Sequence, residues 1–116
     1  MVSGLLLGLA GAGIAAHAAE PAYPVKPIRA ILTIAGTDVL ARVPAQRLTE
    51  VLGQPVVVDL VLGASGSIGA AMVARAVPDG YTIMLTSSAQ VITRGFLSRN
   101  TPYDAVKSFS PIAKVA

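Results

Sequence analysis

From Gly53 to Tyr81 the chain carries the signals of a strand, a helix and a second strand in the order that builds a βαβ unit. Gly53 followed by Pro55 stops a preceding helix. Pro55 to Leu60 is apolar almost throughout, the pattern of a strand covered on both faces. Gly63-Ala64-Ser65-Gly66-Ser67-Ile68-Gly69 is a glycine-rich turn. Ile68, Met72, Val73, Ala76 and Val77 then recur at helical spacing, which predicts a helix from Ser67 to Val77. Pro78-Asp79-Gly80 reverses the chain into a third strand over residues 81–86. Strands joined through a helix run parallel, and that connection admits few topologies.

The flanking segments extend the pattern. Ile28 to Ile34 alternates and is rich in β-branched residues, which predicts the first strand. Thr37 is a candidate helix cap with Asp38 in the first turn, where a carboxylate suits the helix dipole. A helix follows over 39–52, with Leu40, Leu48, Val51 and Leu52 as its inner face. Pro44 interrupts that pattern and predicts a kink or a later start. Thr86-Ser87-Ser88 opens a third helix over 89–98, residues 100–104 form a loop, and residues 111–116 begin another apolar strand. The expected fold class is α/β, a mostly parallel sheet with helices on both faces.

Ligands of such sheets sit off the carboxyl ends of the strands. Three of these ends are readable: Ala35-Gly36-Thr37-Asp38, Gly63 through Gly69, and Thr86-Ser87-Ser88. All are built of small, hydroxyl or glycine residues. A helix that begins on such a turn aims backbone N–H groups and a positive dipole end at whatever lies above it, so the expected ligand is a small anion.

Other chemistries lack their residues. No Cys is present, and the one His, His17, lies in the leader region. Neither thiol nor imidazole catalysis is expected, nor is a GxSxG hydrolase, and no cluster with metal spacing is seen. Lys107 and Ser108 are neighbours in sequence only. No cofactor is expected. The net charge of +3 comes from scattered Lys and Arg without interleaved aromatics, which argues against nucleic acid as a partner. Gly63 to Gly69 also matches GxxGxxG, so a dinucleotide-binding, dehydrogenase-like domain is an alternative. Against it, a full strand and helix precede the turn. Asp79 also lies before the third strand and not at its end, where a ribose would need it. A third reading is an interaction remnant that binds no ligand.

Residues 1–18 read as an export signal. Val2 to Ala16 is uncharged and rich in Gly, Ala and Leu, and Ala16-His17-Ala18 is a small-x-small cleavage pattern, though no basic residue precedes it. Residues 19–27 lead into the fold, and residues 28–116 form the ligand-binding part.

Several ordered motifs then carry a family resemblance. They are Tyr23-Pro24-x-Lys26-Pro27-Ile28-Arg29, Gly36-Thr37-Asp38-x-x-Ala41-Arg42, Leu52-Gly53-Gln54-Pro55-Val56-Val57-Val58, Gly63-Ala64-x-Gly66-x-Ile68-Gly69-Ala70, Pro78-Asp79-Gly80-Tyr81-Thr82 and Pro102-Tyr103-Asp104. After residue 22 the chain resembles the N-terminal part of the Bug-family (TctC-like) extracytoplasmic solute receptors of tripartite tricarboxylate transporters. The resemblance implies lobe 1 of a two-lobed periplasmic flytrap that closes on a small carboxylate and delivers it to a two-subunit membrane permease. It implies a receptor, not an enzyme. By position, the carboxylate would be held by Ala35, Gly36, Thr37 and Asp38 and by Gly63, Ala64, Ser65, Gly66, Ser67, Ile68 and Gly69. Thr86, Ser87 and Ser88 would line the same cleft.

Two departures from the family pattern stand out. The first turn is about three residues shorter than the family's Pro-Phe-x-Pro-Gly-Gly-Gly-Thr-Asp. Leu60-Val61-Leu62 replaces the usual Asn-Arg-Pro. The chain is also about a third of a typical receptor, so the expectation is a truncated copy with the second lobe absent.

Overall fold

A computed structural model describes residues 19–115. Its elements are β1 (Ile28–Leu32), α1 (Asp38–Leu52), β2 (Val56–Leu60), α2 (Ser67–Arg75), β3 (Thr82–Leu85) and α3 (Arg94–Leu97). A 3-10 turn over Ala64–Gly66 leads into α2, and a π-helical turn over Ala89–Thr93 leads into α3. The export signal expected over residues 1–18 lies outside the described residues. Among those described, no helix is long and apolar enough to cross a membrane.

The three strands are parallel in the order β2-β1-β3. β1 is central and the most buried strand: Ile28, Ala30, Ile31 and Leu32 are all at most 3% exposed, and only Arg29 reaches solvent. α1 packs on β1 and β2, and α2 packs on β1 and β3. The crossover through α1 runs from β1 to β2, and the one through α2 runs back in the opposite direction from β2 past β1 to β3, which puts a helix on each face.

β2 departs from its expected burial. Val57 and Leu60 are about half exposed, because β2 pairs on one edge only. A continuous apolar run shows that a strand is buried somewhere, without showing which face is covered. The ladder is also shorter than expected at the carboxyl end of β1 and by one residue at each end of β3, and α2 stops at Arg75 instead of Val77.

α1 starts at Asp38 and not after Pro44, and its inner face differs from the expected one. The helix runs unbroken through Pro44. The missing N–H deprives the Leu40 carbonyl of its partner, at a residue exposed enough for water to replace it. The inner face is Ala41 and Ala45, while Leu40, Leu48 and Val51 stay exposed. Small side chains let the helix sit close on the sheet, and that proximity outweighs the larger apolar residues one face over. Gly53 ends the helix as expected, in the left-handed region at φ 69°, its N–H donating to Thr49 O (3.0 Å). The Thr49 hydroxyl donates to Ala45 O (2.8 Å) and accepts from Val56 N (3.0 Å), joining the helix end to β2.

Two motifs have purely structural work at the amino ends of the strands. The Tyr23 hydroxyl donates to Gly80 O (2.6 Å), and Val25 N–H donates to the Tyr81 hydroxyl (2.9 Å). The two tyrosine rings lie 5.0 Å apart, with Lys26 Nζ 4.5 Å from the Tyr81 ring centre. Residues 19–27 are thereby tied to the turn before β3. Asp59, in β2, pairs with Arg29 across the β1–β2 ladder.

After α3, Tyr103 and Phe109 pack edge to face at 5.4 Å over Ala70, Ala71 and Val91. Asp104 Oδ1 accepts the N–H groups of Val106 and Lys107, each at 2.9 Å. These bonds hold its carboxyl below the usual carboxylate range. The strand expected over 111–116 is not formed. Residues 110–115 join no ladder, and Ile112 is 81% exposed.

Candidate functional site

All three strands reach their carboxyl ends at one level. Leu32 is in register with Leu60 on one side and Leu85 on the other. Val61 N–H donates to Leu32 O (2.9 Å), and Thr33 N–H donates to Leu85 O (3.2 Å). The three turns singled out in the sequence therefore leave neighbouring strands, spaced about 4.8 Å apart. Gly36 and Gly66 follow adjacent strands, not opposite edges of the sheet.

In the first turn Gly36 has φ +75°, and nothing lies within 4 Å of where its Cβ would be. The backbone there is open above. Thr37 precedes α1 but does not cap it with its side chain: the hydroxyl donates backwards to Ile34 O (3.0 Å). The shortened turn brings that carbonyl within reach, and it takes the bond expected to go to the helix. Asp38 is exposed in the first turn of α1.

The second turn is the most strained backbone described. Gly63, Ala64, Ser65 and Gly66 have φ of +130°, +44°, +53° and +84° in succession. Two of these are not glycine, and each such residue costs about 1–2 kcal/mol. Gly66 N–H donates to Gly63 O (2.9 Å), and Ser67 N–H donates to Ala64 O, so the turn closes on itself. The N–H groups of Ile68 and Gly69 fall in the first turn of α2, beyond reach of an intrahelical acceptor. Ser65 accepts a hydrogen bond from Arg94 Nη1 at 2.9 Å. Ile68 lies half exposed beside Gly63.

The third end contributes Thr86, Ser87 and Ser88. Here the structure adds two residues that the sequence analysis did not select, Thr33 and Gln90. The Thr33 side chain is buried, with its hydroxyl 2.8 Å from the Thr86 hydroxyl and 3.0 Å from Gln90 Oε1. The hydroxyl of Thr86 is 3.3 Å from the same Oε1. Each hydroxyl has one proton, so the shortest consistent chain runs from Thr86 through Thr33 to Gln90. Gln90 N–H also donates to Ser87 Oγ at 3.3 Å, so Ser87, not Ser88, caps the turn.

Glycine turn and polar hub fit against each other. A Cβ on Gly66 would lie 3.0 Å from Gln90 Oε1 and 3.3 Å from Thr33 Cβ. One on Gly69 would lie 2.6 Å from Thr33 Cγ2. The hub therefore links the second and third turns to the end of β1 directly. The first turn joins them through β1 alone. One sequence signal pointed to this hub. Thr33 is a polar residue set between the apolar Ile31, Leu32 and Ile34 at the end of β1, and Thr86 and Gln90 stand four apart on the segment beside it.

The site offers hydroxyls, an amide, backbone N–H groups and the dipole ends of α1 and α2. These suit the holding of an anion, not proton transfer. Asp79, weighed as a ribose partner, is at the opposite end of β3, where its Oδ1 accepts Tyr81 N–H (3.0 Å). Ser108, weighed beside Lys107, has its hydroxyl accepting Asp104 N–H (3.0 Å).

Comparison with known proteins gives one consistent result. The family model for the tripartite tricarboxylate transporter family receptor matches residues 40–116. Protein BugT of Bordetella pertussis is 40% identical over 111 residues, covering 92% of this chain and 34% of BugT. The chain thus spans about a third of that curated relative's length. The solved periplasmic binding protein BugD superposes with a TM-score of 0.71 at 41% identity, over 78% of this chain and 31% of BugD. MatC from Rhodopseudomonas palustris, solved with bound malate, gives 0.70 at 30% identity, over 77% of this chain and 31% of MatC.

Proposed function

Since this chain belongs to the tripartite tricarboxylate transporter receptor family, we propose that its three carboxyl-end turns form part of the seat for a small carboxylate in an extracytoplasmic receptor. Residues 28–115 supply part of lobe 1 of a flytrap. Ala35 to Asp38 and Gly63 to Gly69 present N–H groups to the carboxylate, and Thr86 to Ser88 line its flank. The observation that carries this reading is the Thr33–Thr86–Gln90 hub, which holds two of the turns against the end of the central strand. In this reading the receptor is periplasmic, reaches that compartment through the signal over residues 1–18, and hands its ligand to a two-subunit permease. It performs no chemistry on the ligand. The malate bound by MatC supports a dicarboxylate of that size as the first ligand to try.

Amide chemical shifts of the full chain titrated with malate test the proposal. The expected result is saturable shifts at Gly36, Asp38, Ile68 and Gly69, absent with malate diamide, which has the same skeleton and no charge. Shifts scattered over exposed lysines and arginines, or equal responses to acid and diamide, would refute it. So would a Gly66→Val variant that binds malate as the parent does, whereas a ligand-free remnant predicts no saturable shifts in the parent at all.

A further inference from the structure

Beside the glycine turn, between α2 and the segment after α3, runs a groove of about 400 Å³. One wall is a single face of α2, built from Ile68, Ala71, Met72 and Arg75 at spacings of three and four. Ile68 is 50% exposed and Met72 38%, so the middle of this wall is open and apolar. The facing wall includes Asn100 and Pro102.

Both ends of the groove are cationic. Arg94 stands by the start of α2, tethered through Nη1 to Ser65 Oγ (2.9 Å). Arg75 is the last residue of α2, about 12 Å along the axis from Ser67 at 1.5 Å per residue. No Asp or Glu lines the groove. Among the described residues the ion pairs are Lys26–Asp79, Arg29–Asp59 and Arg47–Glu50, and none involves Arg75 or Arg94. The dipole of α2 adds positive potential at the Arg94 end and subtracts from it at the Arg75 end.

The geometry points to a second binding site, for a linear dianion with an aliphatic middle, such as an α,ω-dicarboxylate. Each carboxylate pairs with one guanidinium, and the methylenes lie on Ile68 and Met72. Two cations separated by an apolar wall discriminate by length and by charge at both ends. A short diacid cannot reach both arginines, and a fatty acid leaves one of them unpaired. Arg94 makes the larger contribution, because the helix dipole acts with it. The site adjoins the carboxylate seat proposed above and shares Ala64, Ser67 and Ile68 with it, but it extends away from that seat along α2 to Arg75, at the far end of the helix from the turns.

The test titrates the full chain with suberate, octanoate and succinate, reading arginine Nε–H and backbone amide shifts. Suberate is expected to move both Arg75 and Arg94 Nε–H signals, and to bind at least tenfold more tightly than octanoate or succinate. Arg94→Gln should weaken suberate at least tenfold, and Arg75→Gln about fivefold. Arg75→Lys should recover most of the second loss. Both arginines are exposed, and unchanged far-ultraviolet circular dichroism will confirm that the variants fold. Malate-induced shifts at Gly36 and Asp38 should be the same in Arg75→Gln as in the parent, which separates the two sites. Equal affinity for suberate and octanoate would overturn the proposal. So would parent-like suberate binding by both Gln variants, or suberate shifts confined to residues 35–38 and 68–69.

Discussion

Gly69→Ala is the sharpest probe of the packing that holds the site together. In an isolated helix this change is favourable by about 0.5–1 kcal/mol, because alanine loses less conformational freedom. Here the new methyl would sit 2.6 Å from Thr33 Cγ2 and 3.2 Å from Ile31 Cγ2. Neither neighbour yields easily: Ile31 is fully buried, and Thr33 is fixed by the hydroxyl contacts to Thr86 and Gln90. Overpacking of this kind costs about 1–3 kcal/mol. The overlap outweighs the propensity gain, and a net loss of about 0.5–2 kcal/mol is expected. Urea unfolding should show a lower midpoint at unchanged slope. By melting, each kcal/mol should appear as roughly 4–8 °C. Thr33→Ser removes the offending methyl and keeps the hydroxyl, at a cost of its own of about 0.5–1.5 kcal/mol. Combined with Gly69→Ala it should give a double variant about 1 kcal/mol or more stabler than the sum of the two single losses. A Gly69→Ala chain that is more stable than the parent would refute the argument, as would two substitutions that simply add.

Three further outcomes follow from the same geometry. Gln90→Ala removes the acceptor at the end of the Thr86–Thr33 hydroxyl chain and should destabilise by about 1–3 kcal/mol, with malate affinity falling beside it. Unchanged amide shifts at Gly66 and Thr86 in that variant would count against the hub. Asp104 has a folded pKa below its ordinary value of 3.8, so its stabilising effect is present above that value and lost as pH falls through the lower, folded pKa. The Val106 and Lys107 amide signals should therefore titrate with a midpoint below 3.8, and a midpoint at or above it would contradict the two backbone bonds. Asp59→Asn breaks the exposed pair with Arg29 and should cost at most about 1 kcal/mol, less at high salt. A larger, salt-independent loss in unfolding experiments would mean that the pair is not solvent-screened.

Much of the fold was legible because it is written in local chemistry. Glycine at 53, 63 and 66 sits where the backbone takes positive φ, and the Pro78-Asp79-Gly80 reversal falls between helix and strand as read. Alternating and continuous apolar runs located all three strands, and parallel pairing followed from the helices between them. These signals need no knowledge of what lies across the molecule. The three carboxyl-end turns were likewise visible, because glycine and hydroxyl residues mark a turn wherever it is placed.

What the tertiary structure decided are the quantities that depend on neighbours distant in sequence. Which face of α1 turns inward was settled by how closely the helix can approach the sheet, in favour of Ala41 and Ala45 over Leu40 and Val51. Which strand is central followed from the second crossover returning past β1 to place β3 on its far side, and that left β2 with a bare edge. The Thr33–Thr86–Gln90 hub joins residues 53 and 57 positions apart, a relation that no window of sequence contains. The pairing of Arg94 with Ser65 spans 29 positions in the same way. Periodicity and turn chemistry fix where the chain bends and which elements it forms, and only packing fixes which side chains meet.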